Sequence, residues 1–440
     1  MNYRELSRKE LVREYTKQWN RYLKYEEQDL SLDLSRGKPG KEQLALSMKM
    51  MDTLTSRSVL DSENGMDCRN YGGLDGIPEA KSLLGEMLGV HPENVLVCGN
   101  SSLTVMFDIL SHAMLDGLLG SKPWSRVENR KFLCPVPGYD RHFAMTEHFG
   151  FTLIPVAMKE DGPDMDQVRR LVEADPTVKG IWCVPKYQNP TGVVFSKQVI
   201  QEFADLRPAA GDFRIFWDNA YCVHGLYPDD DAPLPDLLHA CTLAGHPDMV
   251  YEFCSTSKMA FPGAGISAVA ASPANLIDLR KVWAFATIGP DKLNQLRQVR
   301  YFKSMAGVKA HMARHASLMR PKFEKVIRVL EEELAGSGVA QWTTPRGGYF
   351  LSFDTMPGCA ARVVELCARA GVKFTPAGST WPYGHDPQDT NIRIAPSYAP
   401  ISEVETATRL LAVCTKLAAL EKLAAQYCVT VPSLAGAQTA

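Results

Sequence analysis

Between residues 95 and 275 the chain alternates short, almost unbroken apolar runs with stretches of helical character, and no other feature narrows the possible folds as much. The runs are 94–98, 131–134, 152–156, 180–184, 214–217, 249–254 and 266–271. A strand open to water on one face alternates polar and apolar residues. A run without that alternation is covered on both faces. Helical segments between the runs supply crossover connections, so the expectation is an α/β architecture with a mainly parallel seven-stranded sheet flanked by helices.

From residue 311 the pattern changes. A long helix over 311–334 precedes a short strand at 349–353, a helix at 360–370, a strand at 391–394 and a helix at 402–426. This reads as a smaller α+β domain. At 440 residues the chain is too long for one simple core. The expected division is a large domain over 46–310 and a small domain combining 1–45, with its charged helix at 3–28, and 311–440. The tail 431–440 is rich in small residues and is expected to fray.

A net charge of −2 gives no basic surplus for nucleic acid. No run approaches the roughly 18 apolar residues a membrane helix needs. The N-terminus lacks the apolar stretch of a signal peptide. The 11 cysteines are scattered without CxxC spacing, which fits reduced thiols in a cytoplasmic protein and no metal site.

Polar strings follow several of the apolar runs, at the carboxyl edge where open α/β sheets bind ligands. Ser255-Thr256-Ser257-Lys258 places a lysine there. Partly withdrawn from water, such an amine is a usable nucleophile; in a plain turn it is a surface charge. Asp218, straight after 214–217, either holds a heteroaromatic nitrogen protonated or caps a following helix. Tyr221 is three residues on. Asn189 lies in the rigid turn Asn189-Pro190-Thr191-Gly192. Asn100, Ser101 and Ser102 open a helix, which is an anion site or a helix cap. Tyr139, in Pro137-Gly138-Tyr139, either stacks on a flat ring or packs in the core. Arg393 alternates with Ile392 and Ile394, so a strand turns it away from them. Its partner is a substrate carboxylate or a structural acid.

Taken together these strings, with Asn70-Tyr71-Gly72-Gly73-Leu74-Asp75-Gly76, resemble the fold type I pyridoxal-phosphate enzymes of the class I/II aminotransferase family over nearly the whole chain. Within it, Ser35-Arg36-Gly37-Lys38-Pro39-Gly40, the stretch from Val136 to Phe143, and Thr375-Pro376-Ala377-Gly378 are similar to a bacterial aspartate aminotransferase subgroup. The resemblance implies pyridoxal 5'-phosphate as cofactor and a homodimer. It gives Lys258 the covalent bond to the cofactor and the transfer of the substrate proton. Asp218 pairs with the pyridine nitrogen, Tyr221 and Asn189 bond the phenolic oxygen, and Tyr139 stacks on the ring. Asn100, Ser101, Ser102, Ser255 and Ser257 hold the phosphate, with Tyr71 of the neighbouring subunit. Arg393 and the Gly37 backbone take the substrate carboxylate.

The implied reaction is ping-pong transamination from an amino acid, with L-aspartate and 2-oxoglutarate the preferred pair. Aromatic or 2-aminoadipate donors, or a lyase or decarboxylase on the same scaffold, are the alternatives. A dicarboxylate requires a second cation, for which Arg36, Lys38, Arg141 and Lys186 are candidates. One departure stands out. The family's phosphate-clamping arginine, about eight residues after the lysine, is missing from Phe261-Pro262-Gly263-Ala264-Gly265-Ile266.

Overall fold

The computed structural model describes residues 2–227 and 233–427; the tail 431–440, expected to fray, lies outside them. The chain divides into two compact units. The larger takes Lys38–Leu318 and Pro345–Gly348, and the smaller Met1–Gly37, Met319–Thr344 and Tyr349–Ala440.

In the larger unit eight strands form one sheet. Their spatial order is Val95–Cys98, Ser267–Ala271, Val250–Ser255, Arg214–Asp218, Val178–Cys183, Lys131–Val136, Thr152–Lys159 and Gly162–Pro163. Each of the seven apolar runs is a strand. The expected count of seven is corrected to eight by Gly162–Pro163, which folds back antiparallel onto Met158 and Lys159. Two residues carry no periodicity, so only the pairing itself defines this strand.

The strands from Val250–Ser255 across to Thr152–Lys159 run parallel. Ser267–Ala271 is antiparallel to both its neighbours, so Val95–Cys98 points the same way as the parallel set. One edge of the sheet therefore collects six carboxyl ends and the polar strings that follow five of them. Burial explains the apolar runs: Arg214–Asp218 and Val250–Ser255 are buried at every position. Phe132, Trp182 and Phe216 meet across adjacent strands, with ring centroids 5.1 and 4.9 Å apart. Each ring withdrawn from water contributes roughly 1.5–3 kcal/mol.

In the smaller unit Ala340–Trp342, Leu351–Thr355 and Asn391–Ile394 form an antiparallel sheet. Helices Arg8–Glu26, Ala360–Arg369 and Ile401–Gln426 bury a common core that includes Leu11, Val363 and Leu410. The strand Ala340–Trp342 has no counterpart in the sequence reading, because it is short and only partly buried. The segment 3–28 is not one helix. Tyr3–Glu5 forms a single 3-10 turn, and Arg8–Glu26 starts afresh where Ser7 and Glu10 close a capping box. The long helix begins at Met305 rather than 311 and runs to Leu334. Among the described residues no helix is long and apolar enough to cross a membrane, and no disulfide joins the cysteines.

Candidate active site

Asp218 ends its strand with its side chain buried, 4% exposed. Its Oδ2 lies 3.0 Å from His142 Nε2, while Oδ1 is buried with no hydrogen-bond partner. An acceptor left bare inside a protein costs about 1–3 kcal/mol, so this oxygen favours any donor brought to it. His142 is fixed in turn. Its ring stacks on Trp182, with centroids 4.3 Å apart and planes at 11°. The sequence reading did not single out His142. Its position three residues after Tyr139, at the start of the helix Asp140–His148, was the available signal, since residues so spaced share a helix face.

Lys258 stands three residues beyond the strand Val250–Ser255. Its Nζ lies 3.0 Å from Tyr221 Oη and 4.1 Å from that ring's centroid. Burial pushes the Tyr139 phenol up to about 12, against the pull of the Lys258 cation. Tyr221 and Asp218 act on the same phenol, so Tyr139 is in electrostatic reach of all three. Asn189 is buried in its turn. That turn is tied to the Tyr139 turn by Gln188, whose Nε2 donates to the Pro137 carbonyl at 2.9 Å.

The segment expected to hold a phosphate is organised differently. Ser255 Oγ donates to the Asn100 carbonyl at 3.0 Å and lies 3.0 Å from Ser257 Oγ. Asn100 does not present its side chain outward. Its Nδ2 donates to Pro262 O at 2.7 Å, and its Oδ1 accepts from Gly265 N at 2.7 Å. The amide therefore clamps both ends of the stretch that lacks the family's arginine. Asn294 and Gln298 complete the hold, donating to Gly265 O at 2.9 Å and Ala264 O at 2.8 Å. Neutral amides fix this stretch. Ser101 precedes the helix Ser102–Leu115 without making a side-chain cap, at the end where the first-turn N–H groups of that helix lie.

Tyr71 is 82% exposed in the larger unit, outside this cluster. Gly37 and Arg393 belong to the smaller unit, where Phe350 links them. The Phe350 ring leaves no room for a Cβ on Gly37, which would sit 2.1 Å from Phe350 Cζ. The Arg393 guanidinium lies over the same ring, 4.9 Å from its centroid. Only glycine fits there, and Phe350 was not foreseen. Of the four candidate cations, Lys186 is buried and donates to the Cys222 carbonyl at 3.1 Å. Arg36, Lys38 and Arg141 are exposed.

Residues 6–427 match the family model described as aspartate amino-transferase. The chain is 46% identical over 397 residues to an aspartate aminotransferase of Corynebacterium glutamicum, covering 90% of this chain and 91% of the relative. It is 45% identical over 425 residues to a Mycolicibacterium smegmatis protein named an aminotransferase, covering 96% and 99%. The crystal structure of an aspartate transaminase from Corynebacterium glutamicum superposes with a TM-score of 0.94 at 42% identity, over 96% of this chain and 99% of that one.

Proposed function

The chain belongs to the aspartate amino-transferase family, and from that premise we propose that it moves an amino group from L-aspartate to 2-oxoglutarate on pyridoxal 5'-phosphate. The donor leaves as a 2-oxo acid before the acceptor enters. The observation that carries this reading is Asp218 Oδ1, buried and unpartnered, in a cluster where Lys258 Nζ meets Tyr221 Oη at 3.0 Å.

The residues fit the cofactor. Asp218 Oδ1 suits a protonated ring nitrogen, and His142 holds the other oxygen so that the carboxylate cannot turn away. Tyr221 and Asn189 offer donors to a phenolic oxygen, and Tyr139 an aromatic face. Ser101, Ser255, Ser257, Ser102 and the helix N-terminus offer hydroxyls and free N–H groups to a phosphate. Asn100 supports them by fixing the stretch 262–265. When bound, the cofactor supplies a cationic ring that stores the electron pair left when the substrate Cα loses its proton. Lys258 Nζ takes that proton, and Tyr221 Oη, within hydrogen-bond reach, orients the amine.

Arg393 and the Gly37 main chain are assigned to the substrate α-carboxylate. The support is that Phe350 holds the guanidinium against a position where only glycine fits. Aspartate as donor rests on the Corynebacterium relative. The candidates for a second cation at its side chain are the exposed Arg36, Lys38 and Arg141 and the buried Lys186, whose Nζ donates to the Cys222 carbonyl. A homodimer is proposed with Tyr71 reaching into the neighbouring subunit's site. Its exposure, and that of Phe285 at 94%, supports this.

The test is the absorbance change of the cofactor-loaded enzyme on mixing with aspartate, phenylalanine or 2-aminoadipate, without acceptor. Aspartate is expected to react fastest. A strong preference for phenylalanine removes the aspartate assignment. Ammonia or carbon dioxide released without a 2-oxo acid acceptor removes transamination.

A further inference from the structure

Behind the Lys258 turn lies a sealed group of three histidines that the reaction above does not use. His224, His311 and His315 are 4%, 5% and 2% exposed. His311 and His315 occupy successive turns of the helix Met305–Leu334. His311 Nε2 lies 2.9 Å from the Met259 carbonyl, next in sequence to Lys258. His315 Nε2 lies 3.1 Å from His311 Nε2, and its ring also reaches Met259 O. His224 is close enough to the Lys258 amine for that charge to oppose its protonation.

The neighbours fix where the hydrogens sit. Gly40 N–H donates to Gln43 Oε1 at 2.9 Å, which turns the Gln43 amide nitrogen toward His315 Nδ1 at 3.3 Å. An amide nitrogen only donates, so His315 Nδ1 accepts, and the neutral ring carries its hydrogen on Nε2. Tyr301 donates its hydroxyl hydrogen to Leu46 O at 2.8 Å. A carbonyl only accepts, so His311 Nε2 carries the hydrogen that it donates to Met259 O at 2.9 Å, and its bare Nδ1 faces the Tyr301 hydroxyl at 3.2 Å. The His315 Nε2 hydrogen, beside His311 Nε2, also goes to Met259 O. Ser47 Oγ, 3.4 Å from His311 Nε2 and 3.5 Å from Met259 O, supplies another. His311 and His315 are both satisfied while neutral. A further proton on His315 would fall on Nδ1 and set N–H against the Gln43 N–H.

We propose that the His311–His315 pair, held by Gln43 and Tyr301, is a positioning device for the turn that carries Lys258. The inference rests on Lys258 being the reactive amine. Desolvation lowers all three imidazoles, His315 to about 3. The groups facing the pair oppose charge as well. Arg314 on the same helix acts on both rings, and Lys258 and Lys186 act on His224. Gln43 and Ser47 from the segment before it, Tyr301 from the preceding helix and Tyr221 beside His224 bring no negative charge.

The experiment compares wild type with His315→Leu, which removes the donor, and His315→Gln, which keeps one. In cofactor-free protein, amide hydrogen exchange over residues 256–265 is expected to accelerate about tenfold in His315→Leu and to stay near wild type in His315→Gln. In loaded enzyme, kcat falls about tenfold in His315→Leu with KM within about threefold, and the pH midpoint of the bound-cofactor absorbance shifts. Glutamine restores both. A His315→Leu protein with unchanged exchange and an unchanged midpoint overturns the proposal. If that variant does not fold, Gln43→Leu, which only unlocks the His315 tautomer, is read by the same criteria. Borohydride trapping in wild type is run beside these. Trapping at another lysine sinks the functional reading, and the exchange data still decide whether the pair holds the turn.

Discussion

Asp218 keeps a buried carboxylate oxygen without a partner, whereas Asn100 has both ends of its amide bonded to the stretch that follows Lys258. Asp218 ends one strand and Asn100 lies just past the end of another in the same sheet, yet their side chains are bonded differently. Around Asp218 the side chains converge with bonding capacity in hand, and the cost of the bare oxygen is recovered only when a donor arrives. Around Asn100 the side chains satisfy one another, and what is left for a ligand is hydroxyls and main-chain N–H groups. A region meant to change charge during a reaction needs open valences. A region that only anchors works better as a closed, rigid cradle.

The contrast can be broken by substitutions, and the largest effect belongs to the reactive region. Lys258→Ala is expected to lower amino transfer by about a thousandfold or more and to abolish the absorbance of covalently held cofactor. Steady-state assay and a spectrum check both, and appreciable turnover in this variant would falsify the assignment of Lys258. Asp218→Asn comes next. It removes the charge that holds a ring nitrogen protonated but keeps the shape, so kcat should drop roughly a hundredfold while cofactor stays bound. If bound cofactor is lost with no kcat deficit at saturation, the two regions are not distinct. Asn100→Ala should do the least to chemistry. It orphans Pro262 O and Gly265 N, worth about 1–3 kcal/mol, so cofactor retention weakens by about tenfold or more, with kcat at saturating cofactor near wild type. Dialysis followed by reconstitution separates the two effects.

Much of this was open to inspection in one dimension. Apolar runs without alternation mark doubly covered strands, and the polar strings behind them had to emerge at one edge once the strands lay parallel. Asp218, Tyr221 and Lys258 could be named because each is anchored to the end of such a run. His142 could not, because it reaches Asp218 across 76 residues of sequence through the order in which strands sit. The same holds for Asn100 and Gly265, 165 residues apart. Their meeting depends on Ser267–Ala271 running antiparallel beside Val95–Cys98. Gln43 and His315 are further apart still, at 272 residues. Nothing local in a glutamine near the N-terminus marks it as the group that fixes a histidine tautomer.

The sequence alone determined which segments become strands and which side chains emerge at their ends, because burial on two faces and the period of a strand are local properties. Tertiary structure decided which of those side chains keep a free valence. Hydrogen-bond partners at about 3 Å are set by strand order and helix packing. That is why Asp218 Oδ1 stays bare while the Asn100 amide is bonded at both ends, and why His311 meets the main chain next to Lys258.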